Sequence, residues 1–214
     1  MKDAQGDPAY GRTNWRRFAV AVAVPTAAAG ALVFGMASGA FGASFAVSGQ
    51  AFKISADKLD GTGFSQYGGK ETTAGKDGAA GKDIPVAKSG IASAKLYNLC
   101  QSVRAPGSPI SLTIRAGRDA DRPAKATNLL IGMTELSGDA VFTDINIGAD
   151  ASTLGLGGPE ARGENGAFGQ EAKHVVIDDL KQTAISTTAG TFTLTGLNLK
   201  INFPGKDGNP PECF

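Results

Sequence analysis

The amino-acid sequence predicts an all-β protein, built from bent antiparallel strands and preceded by one N-terminal hydrophobic helix. Several segments alternate apolar and polar residues with a period of two, which is typical of half-buried strands. Thirty glycines and only 7% aromatic residues indicate many turns and small side chains. After the first apolar run, the 3.6-residue periodicity of helices is missing. A sandwich, a jelly roll and a short solenoid-like arrangement all fit these strands.

The first element of the chain is a basic segment followed by an apolar one. Residues 1–17 contain Arg12, Arg16 and Arg17, and the following run, 18–43, carries no charged residue. Arginines placed before an apolar segment keep the N-terminus in the cytoplasm. The run has almost no polar face, so it predicts a signal peptide or a signal-anchor helix rather than a core helix.

The end of this apolar run is compatible both with cleavage by a signal peptidase and with retention as a membrane anchor. Small residues allow a peptidase to cut after Ala40 or Gly42, whereas the length of the run is sufficient to span a bilayer. In both cases residues 44–214 form the exported β domain, which is long enough for one core. If the run is not cut, residues 18–43 hold the protein in the membrane. The formal net charge of +1 gives no overall field that would favour nucleic acid or an acidic membrane.

Period-two alternation identifies the strands of the exported domain. In residues 141–147, Val141, Thr143, Ile145 and Ile147 are predicted to share one face, opposite Phe142. Near the C-terminus the phase slips at Gly196, which indicates a bulge or a bend. The segments with alternation are 110–115, 141–147, 192–195 and 197–203.

A four-residue pattern predicts bends inside the strands. It consists of an apolar residue, a spacer, then Asn, Asp or Gly, and a second apolar residue. Asn, Asp and Gly tolerate unusual backbone angles, so each third position is a predicted bend. The pattern occurs at 96–99, 142–145, 177–180 and 194–197.

Two glycine-rich segments, 68–83 and 155–170, are predicted to be mobile loops between strands. Neither follows the strand-glycine-helix context of a phosphate-binding loop, and GxxxxGK[ST] is absent. The sequence therefore predicts no nucleotide or other cofactor.

His174 is the only histidine and the one candidate for a catalytic base. A Ser-His-Asp hydrolase would have to use it, although the GxSxG motif of many esterases is absent. Asp178 and Asp179 are predicted on opposite faces of a strand, which separates them as an acid-base couple. No metal site is predicted, because Cys/His clusters are missing and "DKLDGTG" and "RDADR" lack EF-hand spacing.

The two cysteines, Cys100 and Cys213, are predicted to form a disulfide in an oxidising compartment. The closed loop would restrict the unfolded chain by about 4 to 5 kcal/mol in the entropy model. The alternative is two separate free thiols.

Several passages together resemble a known family. They include "ASFAVSGQAFKISADKLDGTGFSQYGG", "LYNLCQSV", "ELSGDAVFTDINIGADASTL" and "QTAISTTAGTFTLTGLNLKI". These are similar to a family of small exported actinobacterial proteins of unknown function, many of which carry the label cholesterol esterase. The resemblance covers about Trp15 to Phe214 and implies export, a β fold and contact with lipid. The label implies hydrolysis of sterol esters outside the cell.

Three functions follow as hypotheses. The first is an envelope protein that binds or shelters a lipid or sterol-like molecule, since curved sheets can enclose an apolar ligand. The second is a sterol esterase that uses a serine and His174, and the third is a structural or assembly protein of the cell surface. A large apolar cavity favours the first two and a packed core the third. A serine hydroxyl next to His174 would distinguish the second from the first.

Overall fold

The computed structural model of the chain describes residues 50–73 and 81–214. The basic segment 1–17 and the predicted helix 18–43 lie outside the described residues. Within them, the fold is all-β, and its only helical element is one 3₁₀ turn, Ala151–Thr153. Among the described residues no helix is long and apolar enough to cross a membrane.

The described residues form eight strands, and each strand forms an antiparallel pair with at least one other. They are β1 (Phe52–Thr72), β2 (Asp83–Tyr97), β3 (Leu99–Arg104), β4 (Ser111–Ala116), β5 (Ala124–Asp150), β6 (Phe168–Thr188), β7 (Thr191–Thr193) and β8 (Asn198–Asn202). The prediction of bent antiparallel strands is confirmed.

The four long strands close into a ring. Strand β1 pairs with β2 and β6, and β5 also pairs with both of them, so each member has two neighbours in the ring. Strand β3 pairs with the start of β1, and β4 and β8 follow outward as a three-strand extension of the sheet. The short β7 pairs with β5.

The hydrophobic core fills this ring. Its large side chains come from all four ring strands, as expected for a sheet closed on itself. On the β5 side, Phe142 packs against Phe64 with ring centroids 5.2 Å apart. Buried members of the core include Leu59, Phe64, Ile91, Leu96, Leu129, Ile131, Met133, Val175, Ile177 and Leu180.

The backbone angles confirm two of the predicted bends inside strands, at Asp144 in β5 and Asp179 in β6, with φ of 53° and 52°. Asn98 and Gly196, with φ of 50° and 66°, have the same left-handed conformation but lie between strands, Asn98 between β2 and β3 and Gly196 between β7 and β8. Asn, Asp and Gly visit this region more readily than other residues. Asn128 in β5 also has a positive φ, of 47°.

Each bend inside a strand changes which residues face the core. Ile177 and Leu180 are three positions apart, yet both are buried in the same core on either side of Asp179. Strict alternation would place them on opposite faces. The left-handed residue between them turns the strand, so both apolar residues of the four-residue pattern can be buried.

The prediction that Ile145 lies on the face opposite Phe142 is therefore wrong. Phe142 and Ile145 are opposite Val175 and Ala172 on β6, and both of these partners are fully buried. Phe142 and Ile145 thus lie on the same side, because the bend at Asp144 interrupts the alternation. The phase slip at Gly196 is a turn between β7 and β8, which pair with different strands.

The glycine-rich segments differ from their predicted bounds. Strand β1 continues through Gly68 to Thr72 and forms a hairpin with β2, and Phe168 already begins β6. Between β5 and β6 the loop packs against β1, where Gly157 N donates to Ser65 Oγ at 2.8 Å and Ala161 is buried. Its mobility stays a prediction.

Candidate functional site

His174 lies on β6 and forms a hydrogen-bonded pair with a carboxylate of the neighbouring strand. Its Nε2 is 2.8 Å from Asp60 Oδ1 on β1, and about two fifths of the His174 side chain is exposed. The two residues are diagonal neighbours, since Thr62 is opposite His174 and Val176 is opposite Asp60. In a Ser-His-Asp triad the carboxylate bonds to Nδ1 and leaves Nε2 as the base, whereas here Asp60 fixes the orientation of the ring through Nε2.

The nucleophile of such a triad is not in place. The cross-strand neighbours of His174 are Thr62 on β1 and Thr143 on β5. Among the described residues, its hydrogen bond is to Asp60 and no serine hydroxyl bonds to it. The geometry therefore supplies an oriented imidazole and no activated serine.

The remaining acidic candidates are surface residues. Asp178 and Asp179 are both exposed, and Asp179 occupies the left-handed bend described above. In the part of the chain that the structure describes, no group of three or more His, Cys, Asp or Glu side chains could hold a metal ion.

The predicted disulfide is present and fixes the C-terminal tail. Cys100 and Cys213 are bonded with an S–S distance of 2.07 Å, which leaves no free thiol in the described chain. Next to it, Cys213 N donates to Ser102 Oγ at 3.0 Å, and Lys53 Nζ donates to the Phe214 carbonyl at 2.7 Å. The tail thereby covers one face of β3 and β4.

The interior of the ring has little free space. A cavity of about 20 Å³ lies among core side chains, and its polar lining residues are Gln101, Gln182 and Thr187. That volume suits about one water molecule, whereas sites for drug-sized ligands measure about 300 to 1,000 Å³. This cavity among the described residues is too small for the enclosed sterol site that the first hypothesis allowed, and a core packed in this way favours the third hypothesis, a structural or assembly protein of the cell surface.

The sheet extension instead presents an uncovered apolar surface. Alternate residues at the end of the chain, Leu197, Leu199, Ile201 and Phe203, are 55%, 57%, 47% and 68% exposed. In the ladder Ile201 is opposite Leu112, and Leu112 is opposite Val103. We call this surface the open face; its members are Val103, Leu112, Ile114, Leu197, Leu199, Ile201 and Phe203.

The open face is the continuation of the core side of the ring. Gln101, which lines the interior cavity, is opposite Ile114, and Ile114 is opposite Leu199. The other side of the same strands carries Ser111, Thr113 and Asn202, which are hydrogen-bonded to one another and to the tail. One side of the extension is therefore covered and the other is bare.

The sequence showed the alternation of residues 197–203 but did not show that these side chains remain exposed among the residues that the structure describes. A period of two indicates an apolar side of a strand but does not say what packs on it. The missing information is long-range: β8 pairs only with β4, about ninety residues earlier, and is the outermost strand of the extension.

These features define a disulfide-stapled all-β domain whose surface carries an apolar sheet face. The chain belongs to the Family of unknown function (DUF6230), which matches residues 48–214. No curated protein and no solved structure matches the chain.

Proposed function

We propose that this protein is an exported or membrane-anchored cell-envelope β protein that binds lipid on the open face. The observation that carries the proposal is the row Leu199, Ile201 and Phe203, exposed side by side on the core side of the sheet extension. Contiguous exposed apolar surface is rare on soluble proteins and usually marks a ligand, membrane or protein contact.

The energetics favour an apolar partner on this face. Complete burial of one Leu, Ile or Phe side chain is worth about 1.5 to 3 kcal/mol relative to exposure. Because four large apolar residues remain about half exposed or more, a lipid tail laid across them would remove apolar surface from water. A lipid or sterol-like molecule fits this chemistry better than a polar ligand.

The location is supported by two independent features of the chain. Residues 18–43 are an uncharged apolar run that follows three arginines in the sequence, an arrangement typical of export or anchoring. The Cys100–Cys213 disulfide suits an oxidising compartment.

Binding of monomeric lipid by the full chain tests the proposal. We expect a fluorescent sterol or a fluorescent phospholipid to bind the wild-type protein. Leu199→Asp should weaken that binding at least about tenfold, because it places a charge in the apolar row. Asn198→Asp is the matched control, since Asn198 is an exposed neighbour on the same strand whose side chain alternates with the row. Equal affinity in all three proteins would contradict lipid binding at the open face.

Sterol-ester hydrolysis is a second candidate, favoured by the 2.8 Å contact between His174 and Asp60. If the protein is such a hydrolase, His174→Ala should lower turnover of a cholesteryl ester by about a thousandfold or more. If it only binds lipid, wild type and His174→Ala should both lack turnover and bind lipid equally. We expect the second outcome, and Asp139→Ala, which removes an exposed carboxylate of β5, is the control variant.

A further inference from the structure

We propose that the partner of the open face is the lipid bilayer itself, so that the sheet extension docks onto an anionic membrane surface. This inference rests on the proposed lipid binding and names its partner. It follows from where the chain enters the fold, from the charges of the extension, and from the face that is left bare.

The first residue of β1, Phe52, lies in the same cross-strand row as residues of the open face. Phe52 begins β1, and the adjacent pair, Lys53 with Ser102, places Phe52 level with Val103 on β3. Val103 is opposite Leu112, which is opposite Ile201. Phe52 and Ile201 therefore belong to one row across the sheet, three strand spacings or about 14 Å apart.

The chain before β1 limits how far this row can lie from a membrane. Residues 44–51 separate the apolar run from Phe52. Eight extended residues span at most about 28 Å. If residues 18–43 are held in a bilayer, Phe52 stays within that distance of the bilayer surface, and Ile201, about 14 Å further along the row, stays within about 42 Å.

The charges of the extension fit anionic lipid. Strands β3, β4 and β8 contain Arg104, Arg115 and Lys200 and no acidic residue. These cations alternate with the apolar residues and so lie on the other side of the strands. A sheet with its side chains is about 10 Å thick, which is comparable to the Debye length of about 10 Å, so an anionic surface below the open face attracts Arg115 and Lys200 across the sheet only weakly. Arg104 is paired with Glu212 of the tail at 4.0 Å.

Depth-dependent fluorescence quenching tests the docking. The full, uncleaved chain is reconstituted in vesicles of equal parts phosphatidylcholine and phosphatidylglycerol, with brominated acyl chains in a parallel sample. Trp15→Phe removes the only natural tryptophan, and Ile201→Trp reports on the open face. Asn198→Trp, which replaces an exposed and uncharged residue on the opposite side of β8, is the matched control.

We expect the Ile201→Trp protein to lose most of its emission in brominated vesicles and the Asn198→Trp protein to keep it. Phe203→Trp is a second probe of the face and replaces one exposed aromatic residue by another. Emission that is shifted to the blue but not quenched by brominated lipid would mean that protein covers the face, and would overturn the proposal. Emission typical of water would overturn it as well.

The outcome is separable from that of the proposed function. If the chain binds monomeric lipid at Leu199 while the bilayer probes stay unquenched, bilayer docking is wrong and lipid binding stands. If neither is observed, both proposals are wrong.

Discussion

Asp150 shows how a single side chain fixes the loop between β5 and β6. Its Oδ1 accepts hydrogen bonds from Ser152 N at 2.9 Å and Ser152 Oγ at 2.8 Å, and its Oδ2 accepts from Gly166 N at 2.9 Å. Bonds from Ser152 and then from Gly166 favour the charged carboxylate and lower the pKa of Asp150. Asp150 is therefore a local clamp between the two ends of the loop.

The lowered pKa of Asp150 predicts a pH-dependent contribution to stability. A carboxyl group whose pKa is lower in the folded state stabilises the fold above its unfolded pKa of about 3.9, and this stabilisation is lost as the pH falls through the folded pKa. Asp150→Ala should therefore lower the melting temperature at pH 7, and the difference from wild type should shrink as the pH falls below about 4. Thermal unfolding followed by circular dichroism at a series of pH values measures it. A difference that is constant over this range would contradict the assignment.

At this scale the sequence identified single residues but not their partners. His174 was a candidate because it is the only histidine, whereas its contact with Asp60 joins residues 114 positions apart. The clamp at Asp150 joins two ends of a loop that local patterns describe only as glycine-rich. Side-chain hydrogen bonds of this kind depend on register and loop path, which local periodicity does not determine.

Among the strands, the bends are the feature that local sequence predicts best. Whether a residue accepts a positive φ depends on its own side chain, so Asn98, Asp144, Asp179 and Gly196 could be found without knowledge of the fold. The consequence for packing was not predictable in the same way. Which side of β5 meets the core depends on β6, so alternation alone misplaced Ile145.

Adjacent aspartates on β6 allow a direct test of the bends. Asp179 has φ of 52°, whereas Asp178 has no such angle, and both are exposed. Asp179→Val should lower the free energy of unfolding by about 1 to 2 kcal/mol, because a β-branched residue is strained in the left-handed region. Asp178→Val should change it by less than about 0.5 kcal/mol.

Denaturant unfolding of the two valine variants measures the difference, and Asp179→Gly provides a further control. Glycine adopts positive φ without steric cost, so this variant should stay close to wild type in stability. Equal losses in Asp179→Val and Asp178→Val would mean that the bend carries no backbone strain.

For the whole molecule, the ring and the disulfide were predictable to different degrees. The predicted export and a count of two cysteines were sufficient to expect the Cys100–Cys213 bond, because no other intramolecular pairing exists. Ring closure was not predictable, since it needs pairs such as Leu129 with Ile91 and Met133 with Ala184, between strands whose registers are independent in sequence. The exposure of the open face was not predictable either, because it also depends on which strands pair.

The disulfide should make a large contribution to global stability. It joins residues 113 positions apart and holds the C-terminal tail against β3, where Cys213 N bonds to Ser102. Loss of a native disulfide from a small exported domain costs about 2 to 5 kcal/mol, chiefly because the unfolded chain gains freedom. We expect the double variant Cys100→Ser, Cys213→Ser to lose stability in this range in denaturant unfolding, and the wild type to lose a similar amount in reductant.

The intact mass of the wild type without reductant should be two hydrogens below that of the dithiol. Reductant added to the double variant is the control and should have no effect, because that protein has no cysteine left. An unfolding midpoint of the wild type that is the same with and without reductant would show that the bond does not stabilise the fold.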